Sequence, residues 1–182
     1  MIEETRPTVV SFHFGLPPAE LLSRVKAAGA LILLSATTVA EARWLEQNGV
    51  DAIIAQGREA GGHRGMFLSD DIDARPGLIS LLPQVRDAVR LPVVAAGGIS
   101  DGRGIAAAFA LGVDAAQVGA AYLRTPEATT SPTHRAALAS ARDDATRLTN
   151  VFTGRPARGL VNRFVAEIGP MCEDAPRFPL AV

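Results

Sequence analysis

Cysteine, an excess of either charge and long apolar runs are all missing or scarce in this sequence of 182 residues. The single cysteine, Cys172, cannot form an internal disulfide, which favours a reducing compartment. The net charge of −1 gives no electrostatic reason to expect nucleic acid or an anionic membrane as a partner. No run approaches the ~20 apolar residues of a membrane helix, and the first residues contain acids where a signal peptide has a basic start. We therefore expect a soluble, cytoplasmic protein.

Apolar residues make up 48% of the chain, and many of them form short runs bounded by turn residues. Five such runs predict strands: Thr8–Phe12, Ala30–Leu34, Asp51–Ala55, Pro92–Ala96 and Asp114–Val118. Because they mostly do not alternate with polar residues, they are typical of strands buried on both faces of a parallel sheet. Helical spacing predicts helices between them: Pro18–Ala28, Thr38–Asn48, Leu78–Val89 and Asp101–Leu111. The alternation predicts an α/β fold.

The pattern loosens beyond Val118. Thr133–Arg142 is predicted to form a short helix and Arg158–Glu167 another, and prolines mark an irregular end. We expect a single domain over residues 1–182, in which residues 125–182 form a helical or irregular C-terminal extension.

A repeated motif marks the start of two of these strands. Asn48-Gly49-Val50-Asp51-Ala52 matches Leu111-Gly112-Val113-Asp114-Ala115. In both copies we expect the glycine to end a helix in the left-handed conformation, with a strand starting at once. Successive predicted strands begin about one β/α unit apart along the chain. The exception is the longer interval between Asp51–Ala55 and Pro92–Ala96, which contains Gln56–Gly77. Extra length after the carboxyl end of a strand is where α/β proteins build their sites.

Glycine turns follow the last two predicted strands. Gly97-Gly98 ends one strand and precedes a helix that Ser100 or Asp101 could cap, and Gln117-Val118-Gly119-Ala120 ends the next. Exposed backbone N–H groups at such turns bind anions, and paired loops of this kind form phosphate sites in (β/α)₈ barrels. The simpler reading is a pair of tight turns. We predict that the turns at Gly97, Gly98, Gly119 and Ala120 converge on one anion site.

The long loop contains Gln56-Gly57-Arg58-Glu59-Ala60-Gly61-Gly62-His63-Arg64-Gly65. A histidine among glycines can approach a planar ligand closely, and its ordinary pKa near 6.5 suits proton abstraction at neutral pH. The alternative is a surface histidine in a glycine-rich loop. No second His or Cys lies at ligand spacing, so we expect no metal here, and Cys172 has no local partner that would make it a nucleophile.

Ser11 and His13 lie at the end of the first predicted strand, and strand alternation places them on one side of it. They could contact a substrate at the mouth of a barrel. They could equally be hydrogen-bonded interior polar groups.

Four runs occur in order along the chain: SFHFGLP, AQGREAGGHRG, PVVAAGGISDGRGIAAAFALGVDAAQVGAAYL and FTGRPARGLVNRF. Together they resemble the nitronate monooxygenases (2-nitropropane dioxygenases), which bind FMN in a (β/α)₈ barrel. The resemblance implies that His63 is the catalytic base. It also implies a set of flavin-binding positions: Gln56, Gly61, Gly62, Ala96, Gly97, Gly98, Gln117, Gly119 and Ala120. Relatives often have threonine at the position of Ala120, so a hydroxyl contact to the phosphate would be lost here.

The resemblance also implies an incomplete barrel. Relatives have further β/α units before the equivalent of Met1 and continue beyond that of Val182, and the five units found here would correspond to the last five of a (β/α)₈ barrel. The expected function is FMN-dependent oxidation of alkyl nitronates or nitroalkanes with O₂. The alternatives are an FMN-dependent enoyl-acyl carrier protein reductase, an NAD(P)H:quinone reductase, and a non-catalytic remnant. We expect a homo-oligomer or a complementing barrel segment as a possible partner.

Overall fold

The computed structural model of the protein describes residues 1–180, which divide into two compact units. The strands are β1 Val9–Phe12, β2 Leu31–Ala36, β3 Ala52–Gln56, β4 Gly62–His63, β5 Val93–Ala96, β6 Ala115–Gln117, β7 Thr146–Thr149 and β8 Ala157–Leu160. The α-helices are α1 Ile2–Thr5, α2 Ala19–Ala27, α3 Val39–Gln47, α4 Leu78–Ala88, α5 Gly102–Ala110, α6 Pro132–Ser140 and α7 Arg163–Ile168. A 3₁₀ turn spans Tyr122–Arg124.

The first unit, Met1–Arg58 with Gly65–Gln117, is built on a parallel sheet. Its strand order is β1-β2-β3-β5-β6, and helices α2 to α5 connect successive strands. All five predicted strands and all four predicted helices are present, with ends within two residues of the prediction. The predicted α/β class, with parallel β/α units as in a (β/α)₈ barrel, is confirmed.

The core of the first unit lies around its three central strands. Ile32 and Leu34 of β2, Ile53 of β3 and Val93 of β5 are fully buried, together with helix residues such as Leu45. The outer strands are more exposed: β1 alternates between exposed and half-buried residues, and no residue of β6 is buried. The short apolar runs therefore indicate double-sided burial correctly for the centre of the sheet. The strands at its two edges are covered less within residues 1–180.

The repeated Gly-Val-Asp-Ala motif makes the same contacts in both copies. Gly49 and Gly112 have φ of 75° and 86°, the left-handed conformation expected at a helix end. The following aspartate then bonds the neighbouring strand: Asp51 Oδ2 accepts the Ile32 N–H at 2.7 Å, and Asp114 Oδ2 accepts the Val93 N–H at 2.8 Å. Each aspartate satisfies a backbone donor where a parallel strand pair begins.

The second unit comprises Glu59–Arg64 and the residues from Val118 onward. Its sheet is antiparallel in the order β4-β8-β7, and the sequence did not predict these short strands. The predicted helix over Arg158–Glu167 is wrong at its start, because Ala157–Leu160 is strand β8. Helix α7 begins only at Arg163, where the Asn162 side chain accepts the Val165 N–H at 3.0 Å. The predicted helix over Thr133–Arg142 is present as α6.

Among the helices of residues 1–180, none combines the length and the apolar character that crossing a membrane would require.

Candidate active site

Gln56 lies at the carboxyl end of β3, where the long loop begins, and only 8% of its surface is exposed. Its side-chain Oε1 accepts the Gly65 N–H at 2.8 Å. The side chain therefore holds the later part of the loop, a role that sequence analysis did not assign to it. The implied contact of Gln56 with flavin stays a prediction.

Gly65 lies in a tight space in the same unit. A Cβ atom at this position would lie 2.8 Å from His13 Cε1 and 2.8 Å from Ser35 Cβ. His13 Nδ1 is in turn 3.0 Å from Ser35 Oγ, in a hydrogen bond whose direction depends on the tautomer. His13 is thus hydrogen-bonded but exposed, not interior, and Ser11 is exposed on the edge strand. A substrate role for Ser11 and His13 stays a prediction.

A buried carboxylate fastens the loop beyond Gly65. Glu41 is fully buried, and its Oε2 accepts the N–H and the hydroxyl of Thr37 at 2.6 and 2.7 Å. Its Oε1 accepts the N–H groups of Phe67 and Leu68 at 2.8 and 3.3 Å. Four donors compensate the desolvation of one carboxylate, which makes Glu41 a rigid link between the turn before α3 and the loop.

The Gly97-Gly98 turn has the backbone geometry of a small anion-binding loop. Its glycines have φ of 126° and 67°, values that side-chain-bearing residues rarely adopt. Within residues 1–180, no hydrogen bond uses the N–H of either glycine. Ala96, just before the turn, lies opposite Gln117 in the sheet, so β5 and β6 end at the same edge. This cradle fits the phosphate of a cofactor such as FMN.

Helix α5, which follows this turn, is capped by its own aspartate. The Asp101 carboxylate accepts the N–H groups of Arg103 and Gly104 at 3.0 and 3.1 Å, which confirms one of the two predicted caps. The hydrogen bond from the Arg103 side chain, with those backbone bonds, holds the pKa of Asp101 below its usual value. A bound anion would therefore use the glycine turn itself rather than the first turn of the helix.

His63 lies on β4 in the second unit and pairs with Ala157 of β8. Its Nε2 is 2.8 Å from Thr153 Oγ1, and the Phe178 ring packs edge-on against the imidazole with centroids 5.6 Å apart. The next residue continues the pairing, because the Arg64 N–H donates to the Pro156 carbonyl at 2.9 Å. Both the backbone and the ring of His63 are therefore held by residues far along the chain.

Burial and positive charge lower the pKa of His63 below its ordinary value. Desolvation is the main cause, and the guanidinium groups of Arg155 and Arg64 add to it. Arg64 is itself almost fully buried and donates to the carbonyls of Ala60 and Gly62. Desolvation lowers its pKa to about 10, so it stays charged at neutral pH. A neutral imidazole at pH 7 is what a general base requires.

The other predicted flavin contacts belong to the second unit. Gly61 and Gly62 flank the histidine on its N-terminal side and are exposed, and Gly62 has a φ of 73°. Gly119 and Ala120, shortly after β6, are exposed too. Their convergence with Gly97 and Gly98 on one anion site stays a prediction.

No cluster of His, Cys, Asp or Glu within residues 1–180 has the arrangement of a metal site. Cys172 is half-buried, and its backbone exchanges two hydrogen bonds of 2.9 Å with the Asn150 side chain. These contacts give the cysteine a place in the packing of the second unit.

Comparison with known proteins decides the family. The family model for nitronate monooxygenase matches residues 1–181. The chain belongs to the nitronate monooxygenase family. Curated members of the family from Paraburkholderia phytofirmans and Pseudomonas aeruginosa are each 46% identical to it. These alignments cover 98% of this chain and 49% and 51% of the relatives, so the chain spans about half their length.

Solved structures agree with this assignment. The nitroalkane oxidase of Streptomyces ansochromogenes superimposes with a TM-score of 0.86 at 54% identity, over 93% of this chain and 49% of that one. FabK from Thermotoga maritima superimposes with a TM-score of 0.79 at 34% identity, over 92% of this chain and 50% of the other. The β/α arrangement is therefore shared with both proteins.

Three side chains with evident roles were missed by sequence analysis: Ser35, Glu41 and Thr153. Glu41 stands in a predicted helix, where an acid ordinarily indicates a solvated face. Thr153 belongs to the run FTGRPARGLVNRF, which contributes to the family resemblance. Nothing in that run connects the threonine to a histidine 90 residues earlier.

Proposed function

We propose that this chain takes part in the FMN-dependent oxidation of alkyl nitronates or nitroalkanes, with O₂ as the electron acceptor. The observation that carries the proposal is the family match over residues 1–181, with His63 held on an ordered strand. The 54% identity to a nitroalkane oxidase supports the same substrate class. Because the chain spans about half the length of these relatives, their whole activity is extended to the flavin-loaded protein only as part of this proposal.

The flavin phosphate would be held by backbone N–H groups of Gly97 and Gly98, and we propose the same role for Gly119 and Ala120. Ala96 and Gln117 would contribute from the strand ends, and Gln56, Gly61 and Gly62 would line the ring. When bound, FMN would supply the redox chemistry. The positive φ values at Gly97 and Gly98 support the phosphate assignment, because a side chain there would strain the turn.

His63 is proposed as the base that removes the α-proton of a neutral nitroalkane. Its lowered pKa keeps the imidazole unprotonated at neutral pH, ready to accept that proton. A preformed nitronate has already lost the proton and needs no base. We therefore assign His63 to the first step alone.

The substitution His63→Ala tests this assignment. In the flavin-loaded protein it should slow oxidation of neutral nitroalkane by ~10²–10⁴-fold, the usual value of a general base, and affect preformed nitronate far less. Steady-state oxygen consumption on both substrates measures the difference. Equal losses on both substrates would mean that His63 positions substrate and is not the base.

A second candidate is the enoyl-acyl carrier protein reductase considered above, and the similarity to FabK is the observation that favours it. Anaerobic bleaching of the bound flavin distinguishes the two. Reduction by a nitronate and not by NAD(P)H supports the first function, and the reverse result supports a reductase. A protein that never retains FMN would favour the non-catalytic alternative.

The sheet edges support a proposal for the partner, and the cysteine content supports one for the location. β1 and β6 each have an unpaired edge in the described sheet, and such edges bind further strands. We propose that a complementing barrel segment or a second copy of the chain pairs there. The lone Cys172 supports a cytoplasmic location.

A further inference from the structure

The side chain of Thr153 makes three polar contacts around His63. Its Oγ1 is 2.8 Å from His63 Nε2, donates to the Arg155 carbonyl at 3.3 Å and accepts the Arg155 N–H at 3.4 Å. A threonine hydroxyl has one hydrogen to donate and two lone pairs to accept with. If that hydrogen points at the Arg155 carbonyl, all three contacts are satisfied only when Nε2 carries the histidine proton. If it points at Nε2, the bond to the carbonyl is lost.

We propose that Thr153 is a positioning residue that holds His63 in the tautomer with hydrogen on Nε2, so that the basic lone pair lies on Nδ1. Its catalytic meaning rests on the proposed function, since it matters only if His63 is the base. In other enzymes a third group orients the catalytic histidine by a hydrogen bond, and the Thr153 hydroxyl would have the same role here.

The surroundings of the ring restrict it to this orientation. A half-turn of the ring would move Nε2 away from Thr153 and bring a carbon to the hydroxyl. The backbone that carries the ring is fixed as well, because Gly62 and His63 pair with Arg158 and Ala157 of β8. Phe178 packs edge-on against the imidazole. One short stretch, residues 153–158, therefore holds both the strand and the ring of His63.

The proton balance of the first step follows from this tautomer. The C–H bond at the α-carbon of the nitroalkane breaks, a new N–H bond forms at Nδ1, and the electron pair stays on the substrate as the nitronate. The histidine becomes an imidazolium that still donates from Nε2 to Thr153. That bond is stronger after the transfer, because a charged donor makes shorter and stronger hydrogen bonds.

Long-range ¹H–¹⁵N NMR of the protein labelled at histidine tests the tautomer without any turnover. The spectra are recorded on wild type, Thr153→Val, Thr153→Ser and the exposed control Thr129→Val, and His63→Gln assigns the signals. We expect protonated Nε2 in wild type, in Thr153→Ser and in Thr129→Val, and a mixture of tautomers in Thr153→Val. A wild-type His63 protonated on Nδ1, or a Thr153→Val spectrum identical to wild type, would overturn the proposal.

The kinetic arm separates this proposal from the function on which it rests. In the flavin-loaded protein, Thr153→Val should lower kcat for neutral nitroalkane by ~10–100-fold, as expected for a misplaced base, and Thr153→Ser should restore most of it. Oxidation of preformed nitronate should stay near the wild-type rate. If the NMR result holds but the wild-type protein oxidises neither substrate, the proposed function fails while the positioning by Thr153 stands. If His63→Ala leaves nitroalkane oxidation intact, only the role of His63 as the base fails. If His63→Ala is inactive and Thr153→Val is fully active, the positioning role fails alone.

Discussion

The polar groups of the first unit and the histidine of the second are held by hydrogen bonds that differ greatly in sequence separation. In the first unit Gln56 bonds a residue nine positions later, and His13 bonds Ser35 across one β/α unit. In the second, His63 bonds Thr153 90 residues away, in a sheet that joins two distant parts of the chain. A repeated β/α unit makes the position of a side chain predictable from its place in the repeat. A histidine held across the chain depends on packing that no local pattern encodes.

The largest expected effect is that of Gly154→Ala, next to Thr153. A Cβ there would lie 1.7 Å from the Pro176 carbonyl oxygen, and the glycine has a φ of 79°. Because the obstacle is backbone, we expect a loss of more than ~3 kcal/mol in the free energy of unfolding. Urea unfolding measures it, and hydrogen exchange should show the loss of protection in residues 145–180. Gly61→Ala, with no atom within 4 Å, is the control; equal midpoints for the two variants would contradict the prediction.

The matching test in the first unit is Gly65→Ala, where the obstacles are the side chains of His13 and Ser35. Side chains yield more readily than backbone, so we expect a smaller loss of ~1–3 kcal/mol in the free energy of unfolding. Gly102→Ala serves as the control, since open space surrounds its position. The double variant Gly65→Ala with Ser35→Gly should regain part of the loss. No recovery would show that the contact with Ser35 is not the cause.

Glu41→Gln tests the buried link of the first unit. The amide keeps one oxygen acceptor and turns a nitrogen donor toward donors that Glu41 now satisfies, from Thr37 or from Phe67 and Leu68. Leaving a buried donor unsatisfied costs ~1–3 kcal/mol, so thermal unfolding should occur at a lower temperature. Hydrogen exchange at Phe67 and Leu68 should quicken as well. Glu20→Gln on the exposed surface of α2 should leave both quantities unchanged.

The smallest expected effect is on the pH dependence of stability. The pKa of His63 is lower in the folded protein than in the unfolded chain, so the unfolded state takes up the proton first as the pH falls. Its contribution to stability is complete above the ordinary value near 6.5 and is lost as the pH falls through and below it. Between about pH 7.5 and 5.5, the urea midpoint should fall less in His63→Gln than in wild type. An equal change with the exposed His134→Gln would argue that His63 is not the group responsible.

The amino-acid sequence alone determined the β/α architecture of the first unit. Short apolar runs, helical spacing and the repeated Gly-Val-Asp-Ala motif are local signals, because each depends on the period of one element or the conformation of one turn. The same signals placed Gln56, Gly97 and Gly98 at strand ends and Asp101 at a helix start. The long glycine-rich loop also pointed to His63, although its pattern could not distinguish a base from a surface residue.

Only the tertiary structure decided how the loop and the histidine are held. Strands β4, β7 and β8 lack the apolar runs that predicted the parallel strands, and they exist because they pair with one another. Glu41 is buried because four donors surround it, and two of them, the N–H groups of Phe67 and Leu68, come from a loop that meets α3 only in the fold. Thr153 meets His63 for the same reason. Long-range hydrogen bonds depend on which segments pack together, and a single sequence read along its length does not contain that information.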